Sequence, residues 1–258
     1  MCGRFTLTID PAELQDAYSG LVVSNDIRPY LQPRYNIAPS NQVAVVANTG
    51  ENRLALFRWG LIPSWASISK PEPANPGEAP KSPSSTGIPD IGNRLINARS
   101  DTLEQKPAFR TAYLKQRCLI LADGFYEWWF DEQQNRKIPY FFYLKETDPS
   151  TGKPRRPFAF AGLWERWKRR EDGSEILTCA IITTSPNNVV AQVHGRMPVI
   201  LSPNDYAEWL STEERRMKGA DDPLLVPYTA SEMVSHPVSR RVNSPDNDDP
   251  QCVTEYQY

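Results

Sequence analysis

The cysteine at position 2 is the side chain of this sequence best suited to covalent chemistry. Its small size permits removal of the initiator Met1, which would leave a thiol and a free α-amine on adjacent carbon atoms. The α-amine has an ordinary pKa of about 7.7–8.0 and the thiol one of about 8.5, so reactive forms of both exist near neutral pH. Such a 1,2-aminothiol condenses with an aldehyde, because the amine forms an imine and the thiol then closes a five-membered thiazolidine ring. The alternative interpretation of Cys2 is a small, buried and inert apolar residue.

Two further side chains could transfer protons. Glu127 lies among aromatic residues directly after an apolar segment, where partial desolvation would raise the pKa of its carboxyl group into the range of a general acid. An exposed carboxylate at a strand end is the alternative. His194 and His236 are the two histidines of the chain, and a single histidine is more often structural than catalytic. Because the histidines lie far apart in the sequence and no CxxC pair occurs, we predict no metal site.

Other polar and aromatic side chains could hold a nucleic acid. Asn97 could orient a reacting group, and Arg99 could bind a phosphate through two hydrogen bonds. Trp65 lies in a Pro-Ser loop and could stack on a base, whereas we expect Trp59 in the core. The basic segment 166–170 is expected to be a solvated hairpin turn.

Composition is that of a soluble globular protein. The chain has 258 residues, of which 40% are hydrophobic and 23% charged, enough for one large domain. It lacks any apolar run of about 18 residues and any signal-like N-terminus, so we expect a cytoplasmic protein, associated with the nucleoid if the source is bacterial. A net charge of −2 and a pI of about 5.8 exclude binding of DNA by bulk charge alone, so nucleic-acid contacts must come from a local basic surface. The widely spaced cysteines indicate neither a disulfide framework nor a zinc site.

The elements that must position these residues are mostly strands. Asp10 and Ser202 each precede a proline and predict the start of a short helix. Segments rich in β-branched and aromatic residues, bounded by Gly, Pro, Asn or Asp, predict strands. These strands do not alternate with helices as βαβ units would, so we predict an α+β fold: a β-rich single domain with a curled or barrel-like sheet and a few flanking helices. The predicted strands are residues 42–47, 53–59, 117–122, 140–144, 158–163, 176–183 and 197–201.

The predicted domain spans residues 1–245, and residues 246–258 form a C-terminal segment. Residues 69–92 are rich in Pro, Ser and Gly and lack hydrophobic periodicity, so we expect a flexible insertion there. Its sequence indicates no role.

Seven short motifs together resemble the SRAP family, whose name abbreviates SOS response-associated peptidase. Each motif alone is weak, but seven in the family's order, from residue 2 to about residue 243, are highly specific. The resemblance implies a single β-rich domain with a positively charged groove. It also implies a covalent shield over abasic sites in single-stranded DNA, including junctions with duplex DNA. The motifs are MCGRF (1–5), RYNIAP (34–39), WGLIPSW (59–65), NARSDT (97–102), ADGFYEW (122–128), HGRMP (194–198) and HPVS (236–239).

The resemblance also implies a role for each site residue. Cys2 matches the crosslinking nucleophile of the family, and Asn97, Glu127 and His194 match its other active-site residues. In a bacterial member a second tryptophan directly follows the position of Trp65. Here that place is taken by Ala66, so we expect stacking to be weaker there or moved elsewhere. The residues that match DNA-binding positions are Arg4, Arg99 and Arg196, expected near phosphates, and Pro39 and Trp65, expected as an apolar wedge between bases.

By the same resemblance, the expected activity is covalent crosslinking to abasic DNA, with lyase- or peptidase-like chemistry. No metal, organic cofactor, membrane or obligate protein partner is expected. Animal members carry a long C-terminal tail that this chain does not show, so recruitment to a polymerase clamp is not expected either. Two alternatives remain. One is a thiol autopeptidase or amidohydrolase, in which Cys2 attacks with its own amine as base. The other is a non-covalent single-strand binding module, in which Cys2 is incidental.

Overall fold

The structure, a computed structural model, describes residues 2–67, 87–145, 155–216 and 221–258. Three short α-helices lie at the margins of the sheets: α1 (Pro11–Ala17), α2 (Pro107–Lys115) and α3 (Tyr206–Trp209). In these ranges every helix is too short to cross a membrane. The strands are β1 (Arg4–Leu7), β2 (Arg34–Ile37), β3 (Gln42–Ala47), β4 (Leu54–Trp59), β5 (Asn97–Arg99), β6 (Arg117–Ala122), β7 (Gly124–Asp131), β8 (Arg136–Lys145), β9 (Arg155–Arg156), β10 (Phe158–Lys168), β11 (Glu175–Thr184), β12 (Met197–Pro198), β13 (Ile200–Leu201) and β14 (Met233–Pro237).

Five strands close into a barrel, because each of them pairs with two others. Strand β10 pairs with β11, β11 with β4, β4 with β3, β3 with β6, and β6 again with β10. The pairing of β11 with β4 is parallel, and the other four are antiparallel. Closure protects the long edges of these strands. The predicted α+β fold with a barrel-like sheet is therefore confirmed.

A second, antiparallel sheet packs against the barrel through aromatic side chains. Its strand order is β14-β8-β7-β1-β2, with β9 beside β8. Phe5 in β1 meets Trp59 and Phe160 of the barrel edge-on, with ring centroids 5.1 and 5.6 Å apart. Edge-to-face packing suits the charge distribution of aromatic rings. All three side chains belong to one hydrophobic core that both sheets share, so the first residues of β1 are held firmly between them.

Local sequence signals predicted some elements better than others. The predicted strands 42–47 and 117–122 coincide with β3 and β6, and Asp10 caps α1 by accepting hydrogen bonds from two backbone amides at 2.8 and 2.9 Å. The side chain of Ser202, in contrast, makes no capping bond, and a 3₁₀ turn at Pro203–Asp205 comes before α3. The predicted strand 197–201 is divided between β12 and β13, since the Val199 amide bonds to Ile182 instead.

Residues 69–86, which make up most of the predicted insertion, lie outside the described residues. The last part of the insertion, residues 87–92, approaches the barrel where β4 ends. Gly60 has a φ of +130°, and a Cβ atom there would lie 2.3 Å from the carbonyl oxygen of Gly92. A side chain would collide with this backbone, which explains the glycine in the WGLIPSW motif. The contact sets the path of the chain into β5.

The C-terminal segment folds back onto the second sheet. The Asp248 carboxylate accepts hydrogen bonds from the backbone amides of Tyr35 and Asn36, at 2.5 and 2.9 Å. His236 in β14 bonds through Nε2 to the carbonyl oxygen of Val253 at 2.9 Å. Since a carbonyl oxygen only accepts, Nε2 is the donor. These contacts fix residues 240–253 beside β2, β7 and β8.

Candidate active site

Strand β1 brings Cys2 to the edge of β7. Arg4 lies opposite Tyr126 in this antiparallel pair, so the residues before Arg4 continue towards Glu127. The Cys2 side chain is fully buried, and its Sγ atom donates a hydrogen bond to the Arg4 carbonyl oxygen at 3.6 Å. Burial, together with the negative charge of Glu127, raises the pKa of the Cys2 thiol far above its ordinary value. The thiol is therefore protonated at neutral pH.

Strand β5 places Asn97 directly against Cys2. This strand pairs in parallel with β11, where Asn97 lies opposite Ile181. The Asn97 Nδ2 atom donates a hydrogen bond to the Cys2 carbonyl oxygen at 2.7 Å. Its Oδ1 atom is buried and accepts no hydrogen bond from any described residue. An unsatisfied buried acceptor costs about 1–3 kcal/mol. The Asn97 Oδ1 atom can therefore accept a hydrogen bond from a donor placed beside Cys2.

Strand β7 carries Glu127 into the same place. Its side chain is only 3% exposed, although it follows the buried apolar residues at the start of the strand. Burial raises the pKa of Glu127 to about 7, because a carboxylate is poorly stabilised where water is excluded. Near neutral pH the group can therefore both donate and accept a proton. The Glu127 carboxyl group is thus desolvated, as its aromatic neighbours in the sequence predict.

The turn before β12 brings His194 to Glu127. The His194 Nε2 atom lies 3.9 Å from Oε2 of Glu127. The backbone amide of Arg196 donates to His194 Nδ1 at 3.0 Å. Nδ1 also lies 3.0 Å from the Arg196 carbonyl oxygen, so the Arg196 backbone holds this side of the ring while Nε2 faces Glu127. Burial lowers the pKa of His194 below its usual value, so the neutral form prevails at neutral pH.

Of these side chains, Glu127 and His194 line a cleft of about 450 Å³. Its wall includes Trp128, whose Nε1 atom donates to Oδ1 of Asn243 at 2.9 Å. The described residues hold no cluster of His, Cys, Asp and Glu that suits a metal ion. The residues that line the cleft are Glu127, Trp128, Lys137, His194 and Asn243.

Arg99 and Arg196 share one carboxylate. The Arg99 guanidinium forms two hydrogen bonds with Asp101, at 3.1 and 2.6 Å. The Arg196 Nη2 atom lies 3.5 Å from Asp101 Oδ1, which also accepts from Arg99 Nε, and donates to the Thr183 carbonyl oxygen at 2.6 Å. Arg99 is exposed, whereas Arg196 is partly buried. Both cations thus lie close together, with Asp101 offsetting part of their charge.

Arg4 is held by the protein itself. Its Nη1 atom donates to Oδ1 of Asn36 at 2.9 Å and to the Val242 carbonyl oxygen at 2.6 Å, and Nη2 donates to the Asn243 carbonyl oxygen at 3.2 Å. Arg4 therefore fixes the backbone of the segment that carries Asn243 into the cleft. A phosphate contact for Arg4 stays a prediction.

Comparison with known proteins identifies the family. The model of the family described as "SOS response associated peptidase (SRAP)" matches residues 1–245. The chain belongs to the SRAP family. It is 37% identical over 262 residues to "Abasic site processing protein YoqW" of Bacillus subtilis, covering 99% of this chain and 100% of the relative. It is 30% identical over 283 residues to "Abasic site processing protein HMCES" of Xenopus tropicalis, covering 98% and 78%. A crystal structure of a protein from Bacteroides thetaiotaomicron has a TM-score of 0.78 at 25% identity, covering 99% and 100%.

The proposed wedge of this SRAP protein has one exposed ring. Trp65 is 59% exposed, and Pro39 is partly buried. Ala66, which stands where a bacterial member has a second tryptophan, is buried. Its carbonyl oxygen accepts a hydrogen bond from Nε1 of Trp167 at 2.8 Å. Trp167 is buried and residues 166–168 belong to β10, so the prediction of a solvated hairpin turn over 166–170 is wrong for this part. A role for Trp65 at DNA stays a prediction.

Two residues that line the cleft of this SRAP protein are not among those predicted from the sequence. Lys137 enters it from β8 and Asn243 from the C-terminal fold-back. A single lysine or asparagine carries no periodic signal. The basic residues 136–137, two positions before Pro139 in an aromatic strand, are the one available indication for Lys137. For Asn243 the sequence offers none.

Proposed function

We propose that this SRAP protein binds abasic sites in DNA and bonds covalently to their aldehyde through Cys2. The observation that carries the proposal is the meeting of four side chains from distant parts of the chain. Asn97 bonds to Cys2, the Glu127 charge acts on the Cys2 thiol, and His194 faces Glu127. The substrate class follows from relatives across the whole chain, which are named abasic site processing proteins.

The proposed reaction begins after removal of Met1, which frees the Cys2 amine. Glu127 gives a proton to the ring oxygen of the abasic sugar as the ring opens, and the C1′ hydroxyl returns its proton to the Glu127 carboxylate as it becomes the aldehyde. The amine attacks C1′, and the resulting carbinolamine loses one water molecule to form an imine. The thiol sulfur then adds to the imine carbon, and the thiol proton ends on the nitrogen. One water is released in total, and the DNA strand stays intact.

The protonation states of the site support this order of steps. A thiol with a raised pKa is a poor first nucleophile, because the thiolate is the reactive form. An amine held beside Asn97 Oδ1 can instead donate to that oxygen and direct its lone pair at the sugar. Such prepositioning is worth up to roughly 7–11 kcal/mol. Neutral His194 supports the proton transfers of Glu127. The same raised pKa argues against the thiol hydrolase alternative, which needs a thiolate.

The preferred DNA is single-stranded, including junctions with duplex DNA. An abasic nucleotide has no base to stack, so a single strand bends there at low cost. Phosphates of that strand would meet Arg99 and Arg196, which offer a local basic surface in an acidic protein. We also propose that the protein acts in the cytoplasm or on the nucleoid, where such DNA occurs.

Intact-mass measurement tests the chemistry. Incubated with a single-stranded oligonucleotide that carries one abasic aldehyde, the protein should gain the oligonucleotide mass less one water, and the protein part should lack Met1. Cys2→Ala should form no stable adduct. Cys2→Ser keeps the amine, so it should form an imine that survives only after borohydride reduction. An oligonucleotide with a tetrahydrofuran analogue, which has no aldehyde, is the matched control. A stable adduct with Cys2→Ala or with Met1 retained would refute the proposal.

A further inference from the structure

A tight turn over residues 38–41, here called the Pro39 turn, follows β2 on the side of the nucleophile. Ile37 at the end of β2 pairs with Phe5 of β1 in antiparallel register. The residues after Ile37 therefore lie on the same side as the residues before Phe5, where the chain leads back to Cys2. The amide of the fourth residue of the turn donates to the carbonyl oxygen of the first at 3.1 Å. A DNA strand whose sugar reaches Cys2 would pass beside this turn.

The Pro39 turn contains a strained residue. Ser40 has a φ of +74°, in the left-handed region that residues with a side chain rarely adopt. A proline at the second position and a positive φ at the third are the features of a type II β-turn, in which the third position favours glycine. Serine at this position costs free energy, and such strain persists where the surrounding contacts offset it.

Arg58 in β4 supplies the contacts that hold Ser40. The Arg58 Nη2 atom donates to Oγ of Ser40 at 2.7 Å and to Oδ1 of Asn93 at 2.6 Å. Its Nη1 atom donates to the carbonyl oxygen of Gly60 at 3.3 Å. The Ser40 hydroxyl in turn donates to the same oxygen of Asn93 at 3.2 Å. One guanidinium group thus joins three segments that are separate in the sequence.

The shape of the Arg58 side chain matters more here than its charge. Arg58 is only 8% exposed, and the oxygens that it contacts among the described residues are neutral ones. Burial lowers the pKa of its guanidinium group, because a cation is poorly stabilised away from water. A rigid, planar fork of donors can bond to several acceptors at once, whereas the single ammonium group of a lysine on a flexible chain holds no such fixed geometry.

The active-site residue Asn97 does not depend on this link, although it follows Asn93 by four positions. All three residues of β5 pair with β11, and the Leu61 amide bonds to the carbonyl oxygen of Leu95 at 3.0 Å. Ser40, in contrast, has one backbone bond to the barrel, from its amide to the Trp59 carbonyl oxygen at 2.8 Å. Loss of the Arg58 contacts should therefore loosen the turn and leave Asn97 in place.

We infer that Arg58 is a positioning residue, which through Ser40 holds the Pro39 turn rigid beside Cys2 as a support for the bent DNA strand. The inference rests on the proposed function, because the strand that meets the turn is the one whose abasic sugar reaches Cys2. A turn that is already ordered loses no conformational freedom when the strand binds. Since the reactive side chains are held independently, a small aldehyde without flanking nucleotides should not need this support.

The test compares adduct formation with a single-stranded abasic oligonucleotide and with glycolaldehyde. Arg58→Lys keeps the charge but loses the fork, and should slow the reaction with the oligonucleotide by roughly 10- to 100-fold, because a misplacement of about 1 Å can cost about 100-fold. Ser40→Gly suits the positive φ but loses the hydroxyl contacts. It should also slow this reaction, by a smaller factor, with little change in melting temperature. Both variants should react with glycolaldehyde as the unaltered protein does. Arg53→Lys, at an exposed arginine paired with Glu51 at 3.2 Å, is the matched control.

The two substrates separate a positioning role from general damage. An unaltered rate of both variants with the oligonucleotide, or an equal loss of rate with glycolaldehyde, would overturn the inference. A normal rate of Arg58→Lys beside a slow Arg58→Met whose DNA affinity depends less on salt would overturn it too, because Arg58 would then act through its charge. If substitutions of Arg58 prevent folding, Ser40→Gly decides.

Failure of the proposed function would appear separately, as the absence of any adduct between the unaltered protein and the oligonucleotide. The turn is then tested by affinity alone, with an oligonucleotide that carries a reduced abasic sugar and one that is intact. Ser40→Gly should prefer the reduced abasic strand less than the unaltered protein does. An equal preference of the two proteins would overturn the inference.

Discussion

The Oε2 atom of Glu127 lies 3.9 Å from the Nε2 atom of His194, and burial shifts the two pKa values in opposite directions. The pKa of Glu127 is raised to about 7, and that of His194 is lowered from its usual value. A carboxyl group with a pKa near 7 beside an unprotonated imidazole can give up and take back a proton near neutral pH. Such shifted pairs in a cleft are typical of sites for acid–base chemistry.

The rate of adduct formation should depend on pH in the form of a bell. The reaction needs protonated Glu127 and an unprotonated Cys2 amine. With values of about 7 for Glu127 and about 8 for an ordinary α-amine, the product of these two fractions rises up to about pH 7 and falls above about pH 8. Glu127→Gln should react about 10²- to 10⁴-fold more slowly. It should also lose the decline at high pH, since only the amine then titrates. A variant profile with the same decline would assign that limb to another group. The measurement is a time course of adduct formation at each pH, with DNA affinity as a control.

The same carboxyl group should make stability depend on pH. Its pKa is raised on folding from an ordinary 4.5 to about 7, so its protonated form is the one that the fold favours. The associated stability is fully present below about pH 4.5 and is lost as the pH rises through 7. Glu127→Gln, which stays neutral, should therefore gain up to about 3 kcal/mol relative to the unaltered protein between pH 5 and pH 8. The check is the free energy of unfolding of both proteins at the two pH values, and equal differences at both would contradict the burial argument.

Substitution of the two histidines should affect different properties, the reaction rate for His194 and the stability for His236. His194→Ala removes a ring from the cleft and should slow adduct formation, though less than Glu127→Gln does if the carboxyl group supplies the main proton transfer. His236→Ala loses the hydrogen bond to Val253 and the packing against Phe141 and Tyr143. It should lower the melting temperature more than the rate. Rates and melting temperatures of both variants are the measurement. A folded His236→Ala that reacts more slowly than His194→Ala would mean that His236 belongs to the site.

The sequence alone predicts the reactive residues of the site better than the other residues that line the cleft. Cys2, Glu127 and His194 are recognisable because their types are chemically special and their surroundings change from polar to apolar. Lys137 depends on the register of β8 against β7, and Asn243 depends on the return of the C-terminal segment. Such long-range contacts leave no local pattern.

Some parts of the fold are likewise predictable from local sequence, and others are not. Strands such as β3 and β6 are bounded by turn residues and are predictable from their own composition. The closure of the barrel rests on the parallel pairing of Arg58 and Trp59 with Thr178 and Cys179. These residues lie more than a hundred positions apart, and nothing in either segment specifies its partner. The barrel follows from the combined burial of both sheets, not from any one strand.

The carboxylate of Asp101 should limit the affinity of the protein for DNA. It bonds to Arg99 at 2.6 Å and lies 3.5 Å from Arg196, so a phosphate must compete with it for both guanidinium groups. Asp101→Asn keeps the shape but removes the charge, and should bind single-stranded DNA about two- to fivefold more tightly, the usual magnitude for exposed ion pairs.

Arg196→Ala and Arg99→Ala should each weaken binding to all sequences about equally. Each should also reduce the slope of log affinity against log salt by about 0.7, the value for one phosphate contact on a single strand. Affinity measured over a series of salt concentrations checks all three variants. Weaker binding by Asp101→Asn would show that the carboxylate orients the arginines, and a flat salt dependence of the unaltered protein would place the DNA away from them.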